Sequence, residues 1–158
     1  MNWMKKVAVA LVCLLPLGLQ AAKVDTLQVK SPSMNKSIEV VVVSPDMAAT
    51  EACPVIYLLH GYGGNARTWV GIKPDLPKIA DEKGIFFVCP DGKNTWYWDS
   101  PLNADVRYET FISDELVKYV DSHYKTVADR KGRAITGLSM GGHGAMWNGL
   151  RHSDVFSA

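Results

Sequence analysis

The sequence predicts an α/β protein with a mostly parallel sheet, and three observations carry that prediction. Short apolar runs alternate with stretches of helical spacing. Two of the runs, Val55–Leu59 and residues 85–89, are apolar throughout, as strands buried on both faces are. Each is cut off by turn residues, His60-Gly61-Tyr62-Gly63-Gly64 after the first and Pro90-Asp91-Gly92 after the second.

The elements follow in order. Residues 24–29 and 37–43 are rich in β-branched side chains and flank the turn-like Ser31-Pro32-Ser33-Met34-Asn35, so they predict an antiparallel opening pair. Residues 44–54 are polar and contain proline, which suits a connector. Leu76, Ile79 and Ala80 recur at helical spacing, and Lys83-Gly84 marks a helix end. Tyr108, Phe111, Ile112, Leu116, Tyr119 and Val120 trace one face of a helix over four turns. Ala134-Ile135-Thr136 leads as a strand into Gly137-Leu138-Ser139-Met140-Gly141-Gly142 and a last helix. With the strands 55–59 and 85–89 parallel neighbours, Cys53 and Cys89 stand at opposite sheet ends, beyond the roughly 7 Å Cα separation a disulfide allows. Buried thiols are expected there.

The chain has 158 residues, 47% apolar and 21% charged, with net charge +1, as suits one globular domain. That charge gives no electrostatic case for nucleic acid. Lys5 and Lys6, the apolar run 7–19 and then Gln20-Ala21-Ala22 read as a secretory signal, with cleavage near Ala21 or Ala22. Residues 1–22 are therefore expected to leave an exported domain, 23–158, with no membrane span and destined for the periplasm or the medium.

Gly137-Leu138-Ser139-Met140-Gly141 matches G-x-S-x-G, which chance yields roughly 0.05 times in a chain this long. The pattern lifts a serine onto a sharp strand-to-helix turn, where its Oγ stands free at a helix N-terminus. Acyl transfer also needs two backbone donors for the oxyanion. The Met140 amide is one. The loop after the strand 55–59 supplies the other, with Tyr62 the first choice and Gly63 the second. His60 suits a structural, hydrogen-bonding place in that loop, and His123 a charged helix face. The dense aromatic run Trp96-Tyr97-Trp98 suits either core packing or a stacking surface for an aromatic acyl group or a sugar. No His or Cys pair has metal-ligand spacing and no phosphate-binding loop is present, so no cofactor is expected.

His60-Gly61-Tyr62-Gly63-Gly64, then Pro90-Asp91-Gly92 with Thr95-Trp96-Tyr97-Trp98-Asp99-Ser100, then Gly137-Leu138-Ser139-Met140-Gly141-Gly142 together resemble the esterase D-like branch of the α/β-hydrolases. Members of that branch include S-formylglutathione hydrolases, feruloyl and acetyl-xylan esterases, tributyrin esterases and mycolyltransferases. The resemblance runs from about Lys36 to the last residue. It implies an α/β-hydrolase fold, Ser139 as nucleophile and the Tyr62 and Met140 amides as oxyanion hole. It also implies that Trp96, Tyr97 and Asp99 lie beside the substrate cleft.

One departure stands out. The triad of that fold runs serine, acid, histidine. Only 19 residues follow Ser139, and they hold Asp154, His143 and His152 on or just after the nucleophile helix. None is placed as a triad acid or base, so the chain is expected to be the N-terminal part of a longer enzyme, inactive by itself. The expected function is an exported serine esterase acting on a small-molecule or carbohydrate-linked ester. An acyltransferase or thioesterase on the same scaffold is the nearest alternative, and a non-catalytic carbohydrate-binding domain the more distant one.

Overall fold

The structure, a computed structural model, describes residues 22–158. The signal reading of the N-terminus falls on residues outside that range, Ala22 excepted. Five strands, β1 (Lys23–Ser31), β2 (Lys36–Ser44), β3 (Val55–Leu59), β4 (Phe86–Pro90) and β5 (Arg133–Gly137), form one sheet in the order β1-β2-β4-β3-β5. β2 alone runs against the rest: it is antiparallel to β1 and β4, while β3 is parallel to both β4 and β5. The opening pair and the parallel strands are as the patterning predicts.

The alternation inside β2 explains how both faces are covered. Val40 and Val42 join Tyr57, Leu59, Phe86 and Val88 on one face, and Val41 and Val43 join Leu58, Phe87 and Cys89 on the other. The first face packs under the helical stretch 108–123 and under α5 (Met140–Arg151). The second packs on α1 (Thr68–Ile72) and α2 (Leu76–Lys83), through Leu76 and Ala80. Burying each such aliphatic or aromatic side chain stabilises by about 1.5–3 kcal/mol, which is why uninterrupted apolar runs sit in the middle of the sheet.

Two boundaries differ from the expected ones. β4 begins at Phe86, because the Ile85 amide donates to the Ala80 carbonyl at 3.1 Å and closes α2 over the left-handed Gly84 (φ 63°). The helix expected around residues 108–120 is interrupted. It is α-helical at α3 (Tyr108–Thr110) and α4 (Leu116–His123), with a π segment, Phe111–Glu115, between them. The wider turn lets Phe111, Ile112 and Ser113 all be buried in succession, beyond what one 3.6-residue face admits.

Cys53 bridges to Thr126 two residues before β3 begins, whereas Cys89 lies near the far end of β4. From the register Tyr57↔Val88 the two differ by five residues along parallel strands, about 16 Å at 3.3 Å per residue. Both are buried free thiols. Burial pushes the Cys89 thiol up to about 12, and burial followed by the Glu51 charge raises that of Cys53.

Because β3, β4 and β5 are parallel neighbours, their carboxyl ends share one edge. The segments that follow them, 60–64, 91–97 and 138–140, are gathered there, where open α/β sheets place ligands.

Candidate active site

β5 ends at Gly137, and α5 starts at Met140, so the chain must turn within two residues. Ser139 makes that turn with φ 50° and ψ −114°, a conformation costing a non-glycine residue about 1–3 kcal/mol. Close packing sustains it. A Cβ at Gly137 would come within 2.7 Å of the Leu59 carbonyl oxygen, and one at Gly141 within 2.6 Å of the Leu59 carbonyl carbon. Both glycines are thus spaces through which the elbow rests on the end of β3. The Leu138 amide donates to the Leu59 carbonyl at 3.1 Å, fixing the same contact. Ser139 is left exposed at the N-terminus of a twelve-residue helix.

The loop after β3 lies directly against this elbow: a Cβ at Gly61 would touch the Ser139 Cβ at 3.5 Å. Within that loop the Gly64 amide donates to the Gly61 carbonyl at 3.0 Å, and the Gly63 amide to Asn94 Oδ1 at 2.8 Å. The amides of Tyr62 and Met140 make no hydrogen bond among the described residues. Met140, as the first helical residue, has no intrahelical acceptor to reach. Both amides belong to residues named above as candidate donors.

His60 is wholly buried and both ring nitrogens are engaged. Nε2 accepts from the Gly92 amide at 2.9 Å, which requires it to be unprotonated, and Nδ1 donates to the Gly61 carbonyl at 2.7 Å. The ring is therefore neutral, and its approach to Asp91 at 3.5 Å is not an ion pair. Burial pushes the Asp91 carboxyl up, but the Lys93 ammonium at 2.6 Å and the Lys93 amide at 2.9 Å outweigh burial and hold it well below the usual carboxylate range.

The aromatic run divides. Trp96 and Tyr97 are consecutive non-glycine residues with left-handed backbone, φ 58° and 59°. Tyr97 does not line a cleft, contrary to expectation. It is fully buried, its ring fills the room left by Gly92 and Gly144, and its hydroxyl donates to the His60 carbonyl at 3.1 Å. Asn148 Nδ2 donates to its carbonyl at 3.0 Å, so its burial locks the strained backbone. Asp99 is also committed to structure. Its carboxylate accepts from the Thr110 amide at 3.1 Å and the Thr110 hydroxyl at 2.6 Å, holding the start of the 108–123 stretch. Trp96, 46% exposed, remains available beside the elbow, where its ring meets that of His143 at 5.3 Å, edge to face.

The side chains of the remaining histidines make their hydrogen bonds and stacking contacts with groups other than Ser139. His143 Nδ1 lies 3.1 Å from the Trp96 carbonyl, to which it can only donate. His152 Nε2 is 2.9 Å from Glu109, and His123 stacks on Tyr119 with ring centroids 4.0 Å apart. Asp154 is exposed past the end of α5. Asn94, Glu109 and Asn148 carried no signal in the sequence. Glu109 is buried and takes two donors from α5, Trp147 Nε1 at 2.6 Å and Arg151 Nε at 2.8 Å, and a third from His152 just past its end. An apolar groove of about 500 Å³ between β5 and α5, lined by Ile135, Met146, Leu150 and Phe156, flanks Gly137 without including Ser139. Among the described residues no three His, Cys, Asp or Glu side chains are grouped to hold a metal ion, and no helix is long and apolar enough to cross a membrane.

Residues 31–158 match the family model described as "Putative esterase". An acetyl esterase of Caldicellulosiruptor saccharolyticus is 31% identical over 108 residues, covering 68% of this chain and 40% of that protein. An S-formylglutathione hydrolase of Agrobacterium tumefaciens superposes with a TM-score of 0.78 at 25% identity, over 87% of this chain and 56% of that one. A ferulic acid esterase does so with a TM-score of 0.74 at 32% identity, over 87% and 58%. The chain thus spans between two fifths and three fifths of the length of these relatives. With the elbow, the loop after β3 and the sheet order all in place, the chain has the α/β-hydrolase fold and belongs to this esterase family.

Proposed function

We propose that the protein is an exported serine carboxylic-ester hydrolase with Ser139 as its nucleophile. The observation that carries this reading is the strained, exposed Ser139 at the head of α5, with the open amides of Tyr62 and Met140 beside it. In the reaction, Ser139 Oγ bonds to the ester carbonyl carbon and passes its proton to a base. The carbonyl oxygen takes the negative charge and receives hydrogen bonds from the Tyr62 and Met140 amides, each such donor being worth about 3–4 kcal/mol in the transition state. The base returns the proton to the departing alcohol, and water then releases the acyl group by the same steps.

The base and its orienting acid are proposed to come from outside these 158 residues. His60 has both ring nitrogens engaged, His123 stacks on Tyr119, His152 is bound to Glu109, and His143 stands on the nucleophile helix itself with its Nδ1 on the Trp96 carbonyl; the relatives are longer. Trp96 is proposed to border the substrate. The likeness to an S-formylglutathione hydrolase favours a thioesterase as second reading, with the same serine and the same donors. Export is proposed from the basic-then-apolar N-terminus, with cleavage near Ala21 or Ala22.

The test uses the full-length protein. Ser139→Ala is expected to abolish p-nitrophenyl acetate hydrolysis and labelling by a fluorophosphonate while leaving the far-UV circular dichroism and melting temperature unchanged. Retention of more than a few per cent of the activity would place the nucleophile elsewhere.

A further inference from the structure

We infer that Asn94 is a positioning residue that aims the oxyanion loop, and this rests on the esterase reading above. Two adjacent amides, those of Tyr62 and Gly63, could in principle face the oxyanion. Asn94 decides between them. Its Oδ1 accepts from the Gly63 amide at 2.8 Å, so only Tyr62 keeps a free N–H.

Packing does not do this job at the loop tip. Gly63 has φ +77°, and a Cβ placed there would meet nothing within 4 Å. One position later the loop is tight, with a Cβ at Gly64 falling 2.8 Å from Thr68 Oγ1 and 2.9 Å from His60 Nδ1. The peptide joining Tyr62 to Gly63 is therefore held by a hydrogen bond and not by contact. Without that bond, glycine's tolerance of either sign of φ leaves the peptide free to turn over. The adjoining Tyr62 amide then loses its fixed aim, and preorganisation is what makes such a donor effective.

Asn94 is itself well presented. Lys93 before it is left-handed (φ 50°), and the Thr95 amide and hydroxyl close on the Gly92 carbonyl at 3.3 and 2.6 Å. The base of the same segment is bound to His60 twice, through the Gly92 amide to Nε2 and through the Tyr97 hydroxyl to the His60 carbonyl. Those two contacts fix the root of the loop after β3; among the described residues Asn94 alone reaches its tip.

The experiment compares Asn94→Ala and Asn94→Asp in the full-length protein, with active sites counted by fluorophosphonate titration. Asn94 is exposed, so neither change leaves a cavity. Asn94→Ala is expected to lower kcat per titrated site by about tenfold or more, with KM within about twofold. Affinity for a trifluoromethyl ketone, which forms the tetrahedral adduct, is expected to fall in parallel. Asn94→Asp keeps an acceptor for the Gly63 amide, and its charge is screened by water, so kcat is expected to stay within about threefold of the parent. Unchanged kcat in Asn94→Ala would overturn the inference. So would equal losses in both variants, or a loss confined to the number of titratable sites, which would mark a merely structural role. If the parent protein carries no label on Ser139, the esterase reading fails and the inference with it; a labelled parent with an indifferent Asn94→Ala sinks the inference alone.

Discussion

α5 contains two glycines whose replacement by alanine should move stability in opposite directions. At Gly149 an added Cβ would sit 3.5 Å from Ile135 Cγ2, an ordinary contact. Alanine there keeps the helix and removes the conformational freedom glycine has in the unfolded chain, a gain of about 0.5–1 kcal/mol. At Gly141 the same gain is available, but the Cβ would overlap the Leu59 carbonyl group and stand 2.7 Å from the His60 carbonyl oxygen. These are backbone atoms at the end of a central strand, with no flexible end to give way. Overpacking of this kind costs about 1–3 kcal/mol, and a backbone obstacle belongs at the upper end. Gly141→Ala should therefore be destabilised by about 2 kcal/mol net and Gly149→Ala stabilised by up to about 1 kcal/mol. The assay is urea unfolding of the full-length protein followed by tryptophan fluorescence, with the two variants measured side by side. Because the Gly141 overlap pushes on the residues leading into the loop after β3, that variant should also lose, on the function proposed above, hydrolytic rate per folded molecule. Two variants shifted the same way, or a neutral Gly141→Ala, would refute the account of why the elbow glycines are there.

Glu109 should make stability fall in acid. Burial pushes its carboxyl up, and the bonds from Arg151, Trp147 and His152 outweigh burial and lower it. A carboxyl lowered by folding contributes stability above its unfolded value of about 4.3 and loses it as pH falls through the folded value. The gap in urea midpoint between the parent protein and Glu109→Gln should thus be wide at pH 7 and narrow below about pH 4; a gap that does not change with pH would disprove this. Cys53 and Cys89 should resist a thiol reagent in the native protein and both react in denaturant without prior reduction, because each is buried and they lie at opposite ends of the sheet. A peptide map showing the two joined would overturn the strand register.

Local pattern was enough for much of this protein. β-branched runs either side of a turn located β1 and β2, an apolar run cut off by turn residues located β3, Ala134-Ile135-Thr136 before the glycine-serine turn located β5, and the Lys83-Gly84 pair ended α2 where the sequence places it. The strained serine was legible too, because G-x-S-x-G encodes a backbone path within five residues. Such features depend on steric and hydrogen-bonding preferences between near neighbours in the chain, so the chain's order of residues already contains them.

What only the tertiary structure decided concerns residues far apart in sequence. Tyr97 reads as a cleft residue until Gly92 and Gly144 open a slot for its ring and the His60 carbonyl takes its hydroxyl. Asp99 reads as a substrate contact until Thr110, eleven residues on, occupies both its oxygens. Asn94 meets Gly63 across 31 positions, and Glu109 meets Trp147 across 38. The strand order β1-β2-β4-β3-β5 is of the same kind, since β4 enters between β2 and β3. A hydroxyl, an amide or a carboxylate has no periodicity that betrays its partner. Which group satisfies it is settled only when the sheet brings the ends of β3, β4 and β5 to one edge and burial makes an unpaired polar atom costly.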